Sequence, residues 1–348
     1  MTPEVFLEGL VRQASPTYKE QSAVAWAIEQ TRGMNFDEVK RDEAGSYVAV
    51  RGNGPRIVLL LGHIDTVPGE IPVRVEHGVL YGRGTVDAKG CLASMIYAVD
   101  ALTQEELGDK TYVVVGAVEE ECLTSKGARH VLKTVKPDFL INGEPSGLDR
   151  LTIGYKGGFR FRYVIEKENT HFASKETRSA EDALEFLVAV RQYLLEVPCE
   201  KETDFFRPRL EMRSINTDFT GLKDRVEVCA NVRIPPGFDH ADFESFLKDR
   251  AQEGELKITE FLPGVISEKN TSLVRAFLSV MRSEGLSPSF VYKTGSSDMN
   301  TTQEYFPHIP KLAYGPGDAS LDHTSNEHID LAELSVAIRV LSKVLKAL

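Results

Sequence analysis

The chain has 348 residues, and its 41 Lys and Arg against 52 Asp and Glu leave a net charge of −11. A composition of 42% hydrophobic and 27% charged residues is that of a globular protein and excludes a disordered or fibrous one. The acidic balance argues against nucleic acid or an anionic membrane as partner, since both require clustered Lys and Arg.

No run of about 18 apolar residues is present, and Met1–Gly9 lacks both a basic patch and an apolar segment. A soluble, cytoplasmic protein is expected. The cysteines, Cys91, Cys122, Cys199 and Cys229, form no CxxC pair and fit neither a disulfide framework nor a zinc finger. Since single cores tend to divide beyond roughly 250–300 residues, two domains are expected.

In chain order, RIVLLLG (56–62) predicts a buried strand, 89–107 a helix, 111–121 a strand, 125–135 a helix and DFLING (138–143) a strand. This alternation is that of an α/β unit. From 157 the period changes to two, as in a sheet with one wet face. A strand (157–168), a helix (179–197), two strands (210–218 and 225–235), a helix (241–252) and a strand (255–262) follow in the ferredoxin-like order βαββαβ. After Pro263-Gly264 a helix near 271–283, short strands near 289–292 and 311–315, and a helix from 330 restore the α/β character. The expected topology is one α/β domain from 1–155 and 264–348, with an α+β domain, 156–263, inserted into it.

The chemically informative residues are acids and histidines at the C-terminal ends of predicted strands, where open α/β sheets place their ligands. GHIDTVPG presents His63 and Asp65, YGRGTVDAKG presents Asp87, and VEEE presents Glu119, Glu120 and Glu121. NGEP presents Glu144, and HTSNEH presents His323 and His328. Taken singly these read as an N-cap at Asp87 or a solvated acidic turn at 119–121. Together, two imidazoles and several carboxylates make a mixed N/O set suited to zinc or a similar borderline ion, with a spare carboxylate as base for a bound water.

GHIDTVPG, YGRGTVDAKG, VEEE followed by SKGA, NGEP and HTSNE, in this order and spacing, resemble the di-zinc exopeptidases and deacylases of metallopeptidase family twenty. That group includes acetylornithine deacetylase, succinyl-diaminopimelate desuccinylase and carboxypeptidase G. The resemblance implies a zinc-exopeptidase-like catalytic domain carrying a ferredoxin-like dimerisation lid. It further implies that Asp87 bridges two divalent ions, zinc or cobalt, with His63 and Glu144 completing one site and Glu120 and His323 the other. Glu119 matches the general base and Asp65 the acid that orients the His63 ring. His328 matches a surface residue, Glu121 receives no role, and the peptide after Asp87 is expected to be cis.

Within the family, IDTVPGEIPVR, the EEE motif with TSKGA, and TGSSDMN resemble the branch that releases lysine or ornithine from a small acidic amino-group carrier protein in lysine and arginine biosynthesis. Cys91 in place of proline, Lys156 in place of arginine and ENTHFAS (168–174) depart from the pattern without touching a metal ligand. In the lid, His171 matches the residue that reaches a partner protomer's site in a homodimer to stabilise the oxyanion, and Arg233 matches the ligand of a substrate carboxylate. The nearest alternative is a deacylase or dipeptidase of the same fold acting on small N-acyl amino acids or dipeptides; a more distant one is a non-catalytic metal-binding protein.

Overall fold

The structure, a computed structural model, describes residues 1–122, 124–171 and 175–348; Phe172–Ser174 of the ENTHFAS segment lie outside the described residues. These form two compact units, Met1–Gly154 with Ser267–Tyr292 and Ser297–Leu348, and Tyr155–Ile266 with Lys293–Ser296.

The larger unit is built on a mixed sheet in the spatial order Glu38–Arg41, Tyr47–Arg51, Lys110–Ala117, Arg56–His63, Phe139–Gly143, Lys311–Ala313, Arg150–Tyr155. The central strands are parallel. Every residue from Val58 to His63 is buried, as a parallel strand covered on both faces requires. Lys89–Asp100 packs on one face beneath Leu331–Ala347, and all but the last of its residues are buried. The predicted helix 89–107 breaks at Ala101 and restarts as Gln104–Leu107 behind a Thr103–Glu106 capping box. Lys126–Thr134 packs on the Lys110–Ala117 strand and on Asp298–Tyr305.

Three glycines lie level across adjacent strands, Gly62 paired with Gly116 on one side and with Gly143 on the other. A Cβ on Gly116 would stand 2.8 Å from the Leu92 side chain, and one on Gly143 2.5 Å from that of Met95. The absence of side chains there lets the first turns of Lys89–Asp100 approach the strand ends closely, which brings Asp87, two residues before the helix, to the level of His63.

The smaller unit is a four-stranded antiparallel sheet, ordered Arg209–Phe219, Lys223–Ile234, Gly157–Glu168, Glu255–Leu262. Phe159, Phe161 and Tyr163 alternate inward and meet Phe186 and Val190 of helix Ser179–Glu196 and Phe243 and Leu247 of helix His240–Ala251. Arg160, Arg162, Asn231 and Arg233 have the opposite parity and point to the sheet's other face.

Candidate metal centre

His63 is the last residue of its strand and is 1% exposed. Its Nδ1 lies 2.9 Å from the carbonyl oxygen of Asp65, an acceptor that fixes the ring and turns Nε2 toward Asp87 Oδ1 at 3.1 Å. The other Asp87 oxygen, Oδ2, lies 3.1 Å from His323 Nε2. One carboxylate thus faces an imidazole with each oxygen. The Asp87–Ala88 peptide is cis, as the resemblance implies.

The acidic turn departs from the sequence reading. The predicted strand 111–121 ends at Ala117, and Glu119 adopts a left-handed backbone, φ 61°. The Glu119 carboxylate there engages residues that follow it in the chain. It accepts a 2.6 Å hydrogen bond from Thr124 Oγ1 and lies 3.4 Å from Lys126 Nζ. Beyond the kink, the Glu120 and Glu121 amides both donate to the fully buried Asp65 carboxylate at 3.1 Å. Thr17 Oγ1 donates to the same carboxylate at 2.9 Å. Glu121, expected to have no role, places Oε1 3.1 Å from His323 Nε2. Ligand atoms of His63, Asp87 and Glu121 all lie within 4.8 Å of one another.

Glu121 thus stands beside His323, the place at which Glu120 was expected, while Glu119, expected as the base, engages Thr124 and Lys126. Three adjacent glutamates carry no internal mark of register, and only the one-residue kink at Glu119 separates them.

Burial raises the Glu120 carboxyl well above the usual carboxylate range; the His63 charge opposes this, while Glu144, Asp298 and Glu121 reinforce it. Glu144 is 8% exposed, one residue beyond its strand. Burial disfavours charge on His63, but hydrogen bonds with Asp65 and Asp87 outweigh it and raise its pKa well above the ordinary value. His323 is raised to about 10 by hydrogen bonds with Asp87 and Glu121. Asp87 is held below its ordinary value, the two histidines overcoming its burial. The centre is an array of acids gathered around two imidazoles, and it attracts positive charge. A carboxylate shared between two imidazoles, with further carboxylates beside it, fits two borderline divalent ions.

The two remaining candidates lie in the smaller unit. His171 is exposed, just beyond the Gly157–Glu168 strand. Arg233 Nε donates to Glu211 Oε2 at 3.2 Å, and its Nη1 to Ser296 Oγ at 3.4 Å. His328, read as a surface residue, is half-buried and packs at a tilt against Tyr81, with ring centroids 5.0 Å apart.

Residues 59–347 match the family described as peptidase family M20/M25/M40. The chain belongs to that family. It is 41% identical to the [LysW]-lysine hydrolase of Deinococcus radiodurans over 97% of this chain and 96% of that one. It is also 39% identical to a putative [LysW]-lysine/[LysW]-ornithine hydrolase of Thermococcus kodakarensis, over 99% of this chain and 91% of that one. Among solved structures, the aminopeptidase PepT of Bacillus cereus superposes with a TM-score of 0.80 at 16% identity, covering 100% of this chain and 99% of that one. A Bacillus subtilis protein described as a dinuclear metal-binding M20 peptidase superposes at 0.74 and 14% identity, over 99% and 96% of the two chains. At such identities these likenesses establish the fold, an α/β architecture with a ferredoxin-like insertion.

Proposed function

We propose that the protein is a metal-dependent amidohydrolase that releases L-lysine or L-ornithine from the C-terminal glutamate of a small acidic amino-group carrier protein. The observation that carries this reading is 41% identity over nearly the whole of both chains to a relative named for that reaction. The five motifs of the acidic centre support it from within the sequence.

His63, Asp87, Glu121, Glu144 and His323 would hold two divalent ions, zinc or cobalt, with Asp87 between them. The ions supply Lewis-acid polarisation of the amide carbonyl and a lowered pKa for water. Glu120 takes the proton from the attacking water and returns it to the leaving amine. A carboxyl whose pKa is raised by burial is suited to this, because it must both accept and surrender the proton near neutral pH. Asp65 holds the Glu120 and Glu121 amides and so fixes base and ligand relative to each other. His171 is proposed to donate to the tetrahedral oxyanion and Arg233 to bind the free α-carboxylate.

The proposed homodimer is supported by the smaller unit's surface. Strand Arg209–Phe219 is an edge strand with Ile215 and Phe219 more than half exposed. Helix Ser179–Glu196 exposes Leu184, Val188 and Leu195. Among the described residues no helix is long and apolar enough to cross a membrane.

The decisive assay measures free amino acid released by metal-loaded protein from carrier-linked lysine, carrier-linked ornithine and acetylornithine in parallel. Turnover of acetylornithine alone would reject the carrier reading and leave the amidohydrolase.

A further inference from the structure

We infer that Glu327 is a positioning residue that ties the two ends of the metal centre together. The inference rests on the reading that Asp87 and His323 hold metal. Glu327 is fully buried, yet it is not a candidate ligand. Its Oε1 accepts backbone N–H groups from Gly84 at 2.9 Å, Val86 at 2.9 Å and Asp87 at 3.1 Å. Its Oε2 accepts from Arg83 Nη1 at 2.8 Å. A buried carboxylate is costly unless its lone pairs are filled, and here four donors from one turn fill them.

What those donors belong to makes the arrangement functional. The turn is the one that presents Asp87, and the Asp87 amide is itself one of the donors. His323 lies four residues before Glu327 on the same loop. The Glu327 carbonyl accepts from Gly82 N at 3.2 Å, and the following strand, His328–Asp330, pairs with Val79–Tyr81. The 83–87 turn and the 323–327 loop, more than 200 positions apart in the chain, are thus held in register by this residue. Any slip between them would separate the Asp87 Oδ2 and His323 Nε2 atoms, now 3.1 Å apart.

The ion pair also sets the charge. Arg83 neutralises Glu327, so the carboxylate can stand behind Asp87 without forming a rival anionic site beside the metal ligands.

The test compares Glu327→Gln and Glu327→Asp with the parent protein. The glutamine keeps the length and one acceptor oxygen for the three amides, whereas the aspartate keeps the charge but is too short to reach them. Zinc titration of the apoproteins by calorimetry, and the visible absorption of the cobalt-loaded proteins, report the centre without reference to any substrate. The expected result is a folded Glu327→Asp protein whose affinity for the ions falls about 10–100-fold, the range found when partners behind metal ligands are removed. Its cobalt spectrum is altered, and Glu327→Gln recovers part of both properties.

Parental affinity and spectrum in a folded Glu327→Asp protein would overturn the inference. So would failure of the isosteric Glu327→Gln to fold, which would make the residue a prop of the fold alone. Absence of two-ion binding in the parent would reject the metal reading itself, a result separable from either.

Discussion

Glu119, Glu120 and Glu121 are chemically identical neighbours, and the left-handed turn at Glu119 decides what each can do. Glu120→Gln is expected to bind metal normally while activity falls roughly 10²–10⁴-fold, the usual worth of a positioned proton-transfer group. Glu121→Gln should lose metal, and Glu119→Gln, whose carboxylate faces Thr124 and Lys126, should change neither property greatly. Metal content by plasma emission alongside turnover checks all three, and a metal-replete, inactive Glu119→Gln would restore the register expected from sequence. A second expectation follows from His323, whose pKa of about 10 means that the apoprotein carries a proton there at neutral pH. Ligation requires the neutral ring, so metal binding should expel protons and the apparent affinity should rise with pH up to about 10. Calorimetry in buffers of different ionisation heat, at about pH 7.5, measures the release. The sign for folding is the reverse. A histidine with a raised folded pKa stabilises the apoprotein fully below its unfolded value near 6.5, and that contribution fades as pH climbs through about 10. The residue types of the centre were legible because acids and imidazoles at strand ends have few structural uses. Their register at 119–121 was not, because strand periodicity stops at Ala117.

Elements with a strong period were read nearly to the residue: Arg56–His63, Gly157–Glu168 and Ser179–Glu196 fall within a residue or two of expectation. Asp298–Tyr305 was not foreseen. Its sequence, DMNTTQEY, offers only Met299 and Tyr305 as large apolar side chains, and it is a helix because Ser297 caps it and tertiary packing buries it, neither of which leaves an apolar stripe. The glycines at 62, 116 and 143 passed as ordinary strand residues, since close approach of a helix has no local signature. Among elements, the edge strand Arg209–Phe219 carries its own prediction. If it joins its counterpart in a dimer, Ile215→Lys with Phe219→Lys should shift the protein to monomer in sedimentation experiments while leaving its circular dichroism intact. A dimer that persists in this variant would place the interface elsewhere.

At the scale of the molecule, a net charge of −11 would repel the proposed acidic carrier, and productive encounter would then need a local positive field. Arg209 and Arg213 on the edge strand are exposed, whereas Arg207 is engaged by Glu202. Reversing Arg209 and Arg213 to glutamate is expected to raise KM for carrier-linked substrate several-fold and to leave hydrolysis of a small acyl-lysine nearly unchanged; equal effects on both would remove this surface from carrier binding. His63, Asp87, Glu121 and Glu144 all precede the inserted unit, while His323 arrives with the final segment, immediately ahead of Leu331–Ala347, the helix that closes the core over Lys89–Asp100. A growing polypeptide would therefore carry most of the proposed ligands long before the set is complete. If these residues hold metal, the last proposed ligand and the helix over Lys89–Asp100 emerge together, and the capacity to capture a second ion would arise only once that helix can pack.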